Sequence, residues 1–164
     1  MRPPPPFRLL AITPPSGAVD LEVVDRWVAG AATAAVGIAV LLREPGARLA
    51  ALVDPRGRLG PLAGRCRERG IDLLVSLGAD ELPSISKAAG AHGLVGAQLR
   101  GDPSLAQLTD FAARAPGLIR GRSCHGAPQT GDALVDYTCL APIFPPQTSQ
   151  RGVDKIAVGL DPVV

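Results

Sequence analysis

The chain alternates between short runs of apolar residues and longer stretches in which apolar residues recur at helical spacing. The short runs predict buried strands, because each is compact and is ended by polar residues, glycine or proline. The predicted strands cover residues 7–12, 36–42, 71–76, 92–97, 118–123 and 135–140.

Helical patterns occupy the segments between these strands. The first helix is predicted to begin at about Asp20, which is a suitable capping residue. The clearest pattern follows Asp102-Pro103-Ser104, where Leu105, Leu108 and Phe111 recur on one face before Pro116-Gly117 ends the helix. The other helical segments are predicted at residues 47–53, 59–69 and 80–89, with a short helix or turn at 128–134.

A crossover between every two consecutive strands predicts parallel pairing, since hairpins need only short turns. Continuously apolar strands indicate burial on both faces. Two architectures fit this pattern: an open doubly wound sheet, or part of a (β/α)₈ barrel. The segment Thr13-Pro14-Pro15-Ser16-Gly17 lacks the Gly-x-Gly-x-x-Gly pattern of dinucleotide sites. The absence of this pattern weakens the interpretation as a dinucleotide-binding sheet, but it does not by itself favour the barrel.

Length and composition predict a single globular domain over residues 1–164, with 46% hydrophobic and 20% charged residues. A net charge of +2 and 3% aromatic residues argue against a nucleic-acid partner. The most apolar stretch, residues 27–42, is shorter than the roughly 20 residues of a membrane span. Residues 1–6 lack the apolar core of a signal peptide. Because Cys66, Cys124 and Cys139 show no disulfide pattern, we expect a cytoplasmic protein. Because the most apolar stretch is too short for a membrane span, we expect no membrane partner.

In either architecture, ligands bind at the carboxyl ends of the strands. The segment Ser123-Cys124-His125 is the most suggestive of these ends, because imidazole moves protons near neutral pH and a hydroxyl can hold an anion. An ordinary strand end with an exposed histidine is the alternative interpretation. The other polar residues at predicted strand ends are Arg43, Glu44, Ser76, Gln98, Arg100 and those of the segment 141–148.

Other polar residues give weaker signals. Cys124 is interpreted as a buried, inert cysteine rather than a reactive thiol, and His92 as structural. The run Arg65, Arg67 and Arg69 is interpreted as a solvated helix face. Apart from Glu44, no paired Asp or Glu stands at a strand end, so the sequence gives little support for a magnesium site and predicts no metal ligand.

A family resemblance is carried by residues 119–125 (IRGRSCH), by Asp136-Tyr137 and by residues 141–145 (APIFP). They resemble the fifth- and sixth-strand signature of the thiamine phosphate synthase and thiazole tautomerase family. Gly90-Ala91-His92-Gly93 is similar to that family's Gly-Ala-Asp-Gly, and Leu42-Arg43-Glu44 to its Leu-Arg-Glu-Lys. The resemblance covers nearly the whole chain and is strongest over residues 117–146. It implies a (β/α)₈ barrel of about six β/α units, with the last two strands missing.

The synthase of this family joins a pyrimidine diphosphate to a thiazole phosphate with the help of magnesium. The resemblance implies that Arg43, Ser123 and Thr148 bind substrate or phosphate. Other synthase groups are replaced, so magnesium is expected only if synthase activity is retained. The replacing residues are Leu41, Pro45, Ser76, Leu77, Arg100 and Ser149, with Asp102 as a substitute metal ligand if the loop is offset.

The tautomerase branch shifts a proton on a thiazole carboxylate phosphate and needs an acid–base group instead of a metal. The resemblance implies that His125 is this proton carrier, with thiazole phosphate as the small-molecule partner. Synthase activity and a non-catalytic binding module remain alternatives. Because the chain stops at Val164, an unclosed barrel is expected to expose strand edges that favour a homo-oligomer, unless the chain is a fragment of a longer protein.

Overall fold

The structure is a computed structural model that describes residues 4–125 and 131–140. Within these residues, β strands and α helices alternate from β1 to β6. The strands are β1 Leu9–Ile12, β2 Ile38–Leu42, β3 Asp72–Leu77, β4 Gly96–Leu99, β5 Ile119–Cys124 and β6 Tyr137–Leu140. The helices are α1 Glu22–Thr33, α2 Leu49–Val53, α3 Gly60–Glu68, α4 Ile85–His92 and α5 Leu105–Arg114, with 3₁₀ helices at Ala79–Ser84 and Asp132–Leu134.

The strands form one parallel sheet in the order β1-β2-β3-β4-β5-β6. A doubly wound sheet reverses its strand order at a switch point, whereas a barrel adds each strand beside the previous one. The sheet therefore curls into a half-barrel, and the barrel prediction is confirmed. The prediction that the last two strands of the barrel are missing concerns the chain after β6. Residues 141–164 lie outside the described residues.

The two faces of the sheet bury two separate sets of side chains, because alternate residues of a strand point to opposite sides. One set, with Val40, Leu42 and Leu73, packs against the helices. The other set, with Ala39, Leu41, Leu74 and Phe7, fills the concave interior. The Phe7 ring meets the Tyr137 ring edge-on at a centroid distance of 5.8 Å. This contact joins the chain before β1 to β6 across the interior.

Several element boundaries differ from the predicted ones for local reasons. His92, predicted at the start of the fourth strand, is the last residue of α4. Gly93 then takes the left-handed conformation (φ 63°) that ends a helix, and β4 begins only at Gly96. α1 begins at Glu22 and its N-cap is Leu21, one residue after the predicted cap Asp20, although the Asp20 carboxylate accepts a hydrogen bond of 2.9 Å from the Glu22 backbone N–H.

The helices are tied down by caps and ion pairs. Ser104 and Gln107 form a reciprocal capping box at the start of α5. Arg65 of α3 and Arg69, which follows the end of α3, form ion pairs with Asp25 of α1 at 2.8 and 2.7 Å. Arg67 and Arg69 are exposed and Arg65 is half-buried, so the basic run faces solvent as expected and also forms ion pairs with α1. Of the helices in residues 4–125 and 131–140, none is long and apolar enough to cross a membrane.

Candidate active site

The carboxyl ends of β4 and β5 bring Asp102 and His125 together. Nδ1 of His125 lies 2.8 Å from Oδ2 of Asp102, and the His125 backbone N–H donates to Oδ1 at 2.5 Å. A carboxylate only accepts hydrogen bonds, so Nδ1 carries the proton of this contact, and in the neutral ring Nε2 presents its lone pair. The two side chains are 40% and 43% exposed, which leaves the pair accessible to a small molecule.

The backbone at Asp102 is in an unusual conformation. Its φ of 53° is in the left-handed region, which side chains other than Gly, Asn and Asp adopt at a cost. Positions of this kind cluster at functional sites. The conformation belongs to the loop between β4 and α5, and in this loop both Asp102 oxygens are presented to the end of β5.

Four side chains on β3 to β6 face the concave interior below the Asp102–His125 pair, and we call these four residues the floor. The floor consists of Ser76, Gln98, Ser123 and Cys139. Ser76 is opposite Gln98 in the strand register, and Ser123 is opposite Cys139. Directly opposed residues of parallel strands point to the same side, so these side chains share the concave face.

Gln98 is the centre of the floor and is 3% exposed. Its Nε2 donates to the Ser123 hydroxyl at 2.7 Å, and its Oε1 accepts from the Tyr137 hydroxyl at 3.0 Å. The Cys139 thiol also donates to Oε1, at 3.5 Å. The side-chain amide thus links β4 to both β5 and β6.

Burial raises the pKa of Tyr137 well above its ordinary value, and nearby Cys139 and Asp136 add to the rise. Burial also raises the pKa of the Cys139 thiol, while the positive charge of Arg43 opposes that rise. Tyr137 and Cys139 therefore remain protonated donors at neutral pH. The Arg43 charge acts on the floor even though Arg43 itself follows β2.

Thr13 fixes the backbone of Arg43. The Thr13 hydroxyl accepts from the Arg43 N–H at 2.8 Å and donates to the Arg43 carbonyl at 2.6 Å. Thr13 is 3% exposed, so these bonds are protected from water. The hydroxyl closes the gap between the ends of β1 and β2 and holds Arg43 at the mouth of the half-barrel.

Arg58 braces the same side of the mouth from the loop before α3. Its Nε donates to Glu44 at 3.0 Å, and its two terminal nitrogens donate to the carbonyls of Pro14 and Gly17 at 2.9 and 3.2 Å. Glu44, one of the polar residues that follow a predicted strand, is held by Arg58. One guanidinium therefore connects the loops that follow β1 and β2.

At the ends of β3 and β4, the buried carboxylate of Glu81 forms ion pairs with two partly exposed arginines. Its side chain is 4% exposed and accepts from the backbone N–H groups of Leu49 and Gly78, at 2.6 and 3.1 Å. Arg48 and Arg100 pair with it at 3.3 and 3.2 Å. The cluster holds Arg100 against the strand ends.

The predicted site residues thus have different outcomes. His125, Ser123 and Arg43 all lie at the mouth or floor of the half-barrel, whereas Thr148 lies outside the described residues. Cys124 is buried at 6% exposure, on the helix side of β5. Sequence reasoning did not identify Asp102 as the partner of His125. The only available signal was an acidic residue two positions beyond Arg100, which gave no hint of its conformation.

The described residues do not fit a magnesium site. Among them, no three His, Cys, Asp or Glu side chains converge closely enough to hold a metal ion. At the strand ends, Asp102 is bound to His125 and Glu81 to two arginines. Magnesium prefers an open group of carboxylate and water oxygens, and these carboxylates are already occupied by cations or N–H donors.

Comparisons with protein-family models and with curated protein sequences find no match. Among solved structures, the chain is similar to a "putative phosphonomutase" from Burkholderia cenocepacia J2315, with a TM-score of 0.51 and 16% sequence identity. The match covers 81% of this chain and 62% of that chain, so this chain spans less than two thirds of its length. At this identity the likeness shows the fold alone. The chain has a partial, TIM-barrel-like α/β fold.

Proposed function

We propose that this protein binds a small phosphorylated heterocycle and moves a proton on it, with His125 as the acid–base group. The Asp102–His125 pair carries this proposal, because it fixes one ring nitrogen and presents the other at the accepted ligand-binding end of the fold. The sequence resemblance to the thiazole tautomerase branch supports a thiazole carboxylate phosphate as the substrate.

In the proposed reaction, Nε2 of His125 takes a proton from one substrate atom and the released electron pair moves into the heterocycle. The resulting imidazolium, stabilised by Asp102, returns the proton to a second atom. No proton is gained or lost overall, and no oxidant is needed. Arg43 supplies positive charge for an anionic group of the substrate, and the Ser123 hydroxyl can donate a hydrogen bond to the substrate.

Replacing His125 by alanine tests this role. In D₂O, the wild type should incorporate deuterium into the thiazole carboxylate phosphate during isomerisation. For His125→Ala we expect kcat to fall roughly 10²–10⁴-fold, the usual contribution of a positioned acid–base group. His92→Ala is the matched control, because His92 ends α4 on another part of the molecule. Unchanged turnover in His125→Ala would exclude the proposed role.

Asp102→Asn separates the role of Asp102 from that of the imidazole. An amide NH₂ placed at Nδ1 favours the opposite tautomer and gives no charge to stabilise the imidazolium. We expect kcat to fall by up to roughly 10⁴-fold, as when an amide replaces the carboxylate behind a catalytic histidine, with little change in KM. A pure change in KM would contradict this role.

The synthase reaction has less support. It requires magnesium at the departing pyrophosphate, and the carboxylates of the described strand ends are already paired. Incubation with pyrimidine diphosphate, thiazole phosphate and magnesium tests it directly, and appearance of the coupled product would favour it over the proton shift.

A further inference from the structure

The mouth and the floor of the half-barrel offer different chemistry to a ligand. Charged side chains stand at the mouth, where Arg43, Asp102 and His125 lie beyond the strand ends. The floor offers an amide, two hydroxyls and a thiol. Placing a charge on such a floor is costly, because the four floor side chains are uncharged and only the charge of Arg43 at the mouth acts on one of them. The site therefore fits a ligand whose charged group binds at the mouth and whose uncharged part contacts the floor.

The hydrogen bonds of Gln98 determine what Ser123 can do. Oε1 of Gln98 accepts from Tyr137 and Cys139, so the amide NH₂ is the side that faces Ser123. The Ser123 oxygen is then an acceptor of that N–H, at 2.7 Å. Among the described residues, no acceptor takes the proton of the Ser123 hydroxyl. That proton remains to be donated to a ligand.

This arrangement does not change around neutral pH. The raised pKa values of Tyr137 and Cys139 keep the phenol and the thiol protonated, so both continue to donate to Gln98. A flip of the Gln98 amide is unfavourable, because its NH₂ group would then face the two donors Tyr137 and Cys139, and its oxygen would face Ser123. Two donors of β6 thus fix the orientation of the Gln98 amide, and this orientation directs its NH₂ group at Ser123 of β5.

We infer that the floor recognises an uncharged part of the ligand that carries a hydrogen-bond acceptor, and that Gln98 is the positioning residue that directs the Ser123 proton to it. The inference rests on the proposed function for the choice of a heterocyclic phosphate. It goes further by assigning the recognition of the ring to Gln98 and Ser123.

The test compares two probes that differ in one ring atom: a thiazole phosphate, and its thiophene isostere in which C–H replaces the ring nitrogen. Calorimetry gives the dissociation constant of each. We expect the wild type to bind the thiazole about tenfold more tightly, the effect of one buried hydrogen bond and its unmet donor. Ser123→Ala should bring the ratio of the two constants to about one.

Gln98→Glu is the decisive variant, because it keeps the size of the side chain and reverses one hydrogen bond. A carboxylate at this position accepts the Ser123 proton, so the hydroxyl presents only lone pairs to the ligand. The preference for thiazole should disappear. Gln107→Glu in the α5 capping box is the matched control for the added charge and should retain the preference. Thermal unfolding checks that each variant is folded.

A wild-type ratio near one, or no binding of either probe at millimolar concentration, would overturn the inference. So would a preference that survives both Ser123→Ala and Gln98→Glu. Failure of the proposed function is a different result: the wild type would show the tenfold preference without exchanging any proton. His125→Ala should lose proton exchange and keep the preference, since His125 has no part in the Gln98 hydrogen bonds.

Discussion

Glu81→Ala should be among the most destabilising changes to a charged residue at the strand ends. The Glu81 carboxylate is the acceptor for two backbone N–H groups, of Leu49 and Gly78, and the first of these is buried. Alanine leaves both without that acceptor. Each unsatisfied donor costs about 1–3 kcal/mol, so we expect a loss of about 3 kcal/mol. Arg48 and Arg100 add little to this figure, because they are 65% and 35% exposed and can be hydrated.

The neighbouring carboxylate provides an internal control. Asp80 also pairs with Arg48, and at 2.6 Å its ion pair is shorter than the 3.3 Å pair of Glu81 with Arg48. The Asp80 side chain is 63% exposed, however, and exposed ion pairs contribute at most about 1 kcal/mol. Asp80→Ala should therefore cost much less than Glu81→Ala, although its ion pair is the shorter one.

Urea unfolding followed by circular dichroism measures both variants. With a slope of about 2 kcal/mol per molar urea, Glu81→Ala should lower the midpoint by about 1.5 M. Asp80→Ala should lower it by less than about 0.5 M. Glu81→Gln, which keeps one acceptor oxygen, should fall between the two. Equal losses for Asp80→Ala and Glu81→Ala would refute the reasoning that burial, not distance, decides the contribution.

Two further predictions concern the sheet and a buried thiol. Gly121→Ala should lower the free energy of unfolding by about 1–3 kcal/mol, because a Cβ at Gly121 would overlap the Tyr137 ring. Urea unfolding should show a smaller loss when the same change is made in a Tyr137→Leu background. An equal loss in that background would contradict this cause. Burial raises the pKa of Cys66 to about 11, so the folded chain binds more protons than the unfolded one between about pH 9 and 11. Stability should fall as pH rises through this range, and the fall should be shallower in Cys66→Ala; an identical slope would contradict it.

The order of strands and helices could be predicted from the sequence because each strand is a compact apolar run. The run at residues 36–42, for example, became β2, which is buried on both faces of the sheet. The ends of elements were less predictable. His92 was placed in a strand because apolar residues follow it, whereas the left-handed Gly93 extends α4 through it.

The candidate site was only partly predictable for a similar reason. His125, Ser123 and Arg43 could be found by their positions after apolar runs. The partner of His125 depends on the left-handed backbone at Asp102, and the brace of Glu44 depends on Arg58 from a distant loop. Such contacts arise from the path of loops in space. No periodicity of hydrophobic and polar residues encodes them.

The edge-on contact between Phe7 and Tyr137 affects how the chain can fold during synthesis. Each β/α unit pairs with the preceding one, so the sheet can grow step by step as the ribosome releases the chain. The concave interior cannot be completed step by step. Phe7 is translated early, but its contact partner Tyr137 is translated only near the other end of the described chain. Until then, one side of the Phe7 ring lacks its partner. Folding of the interior should therefore be a late event, and the early units are the ones that a chaperone would have to protect from aggregation.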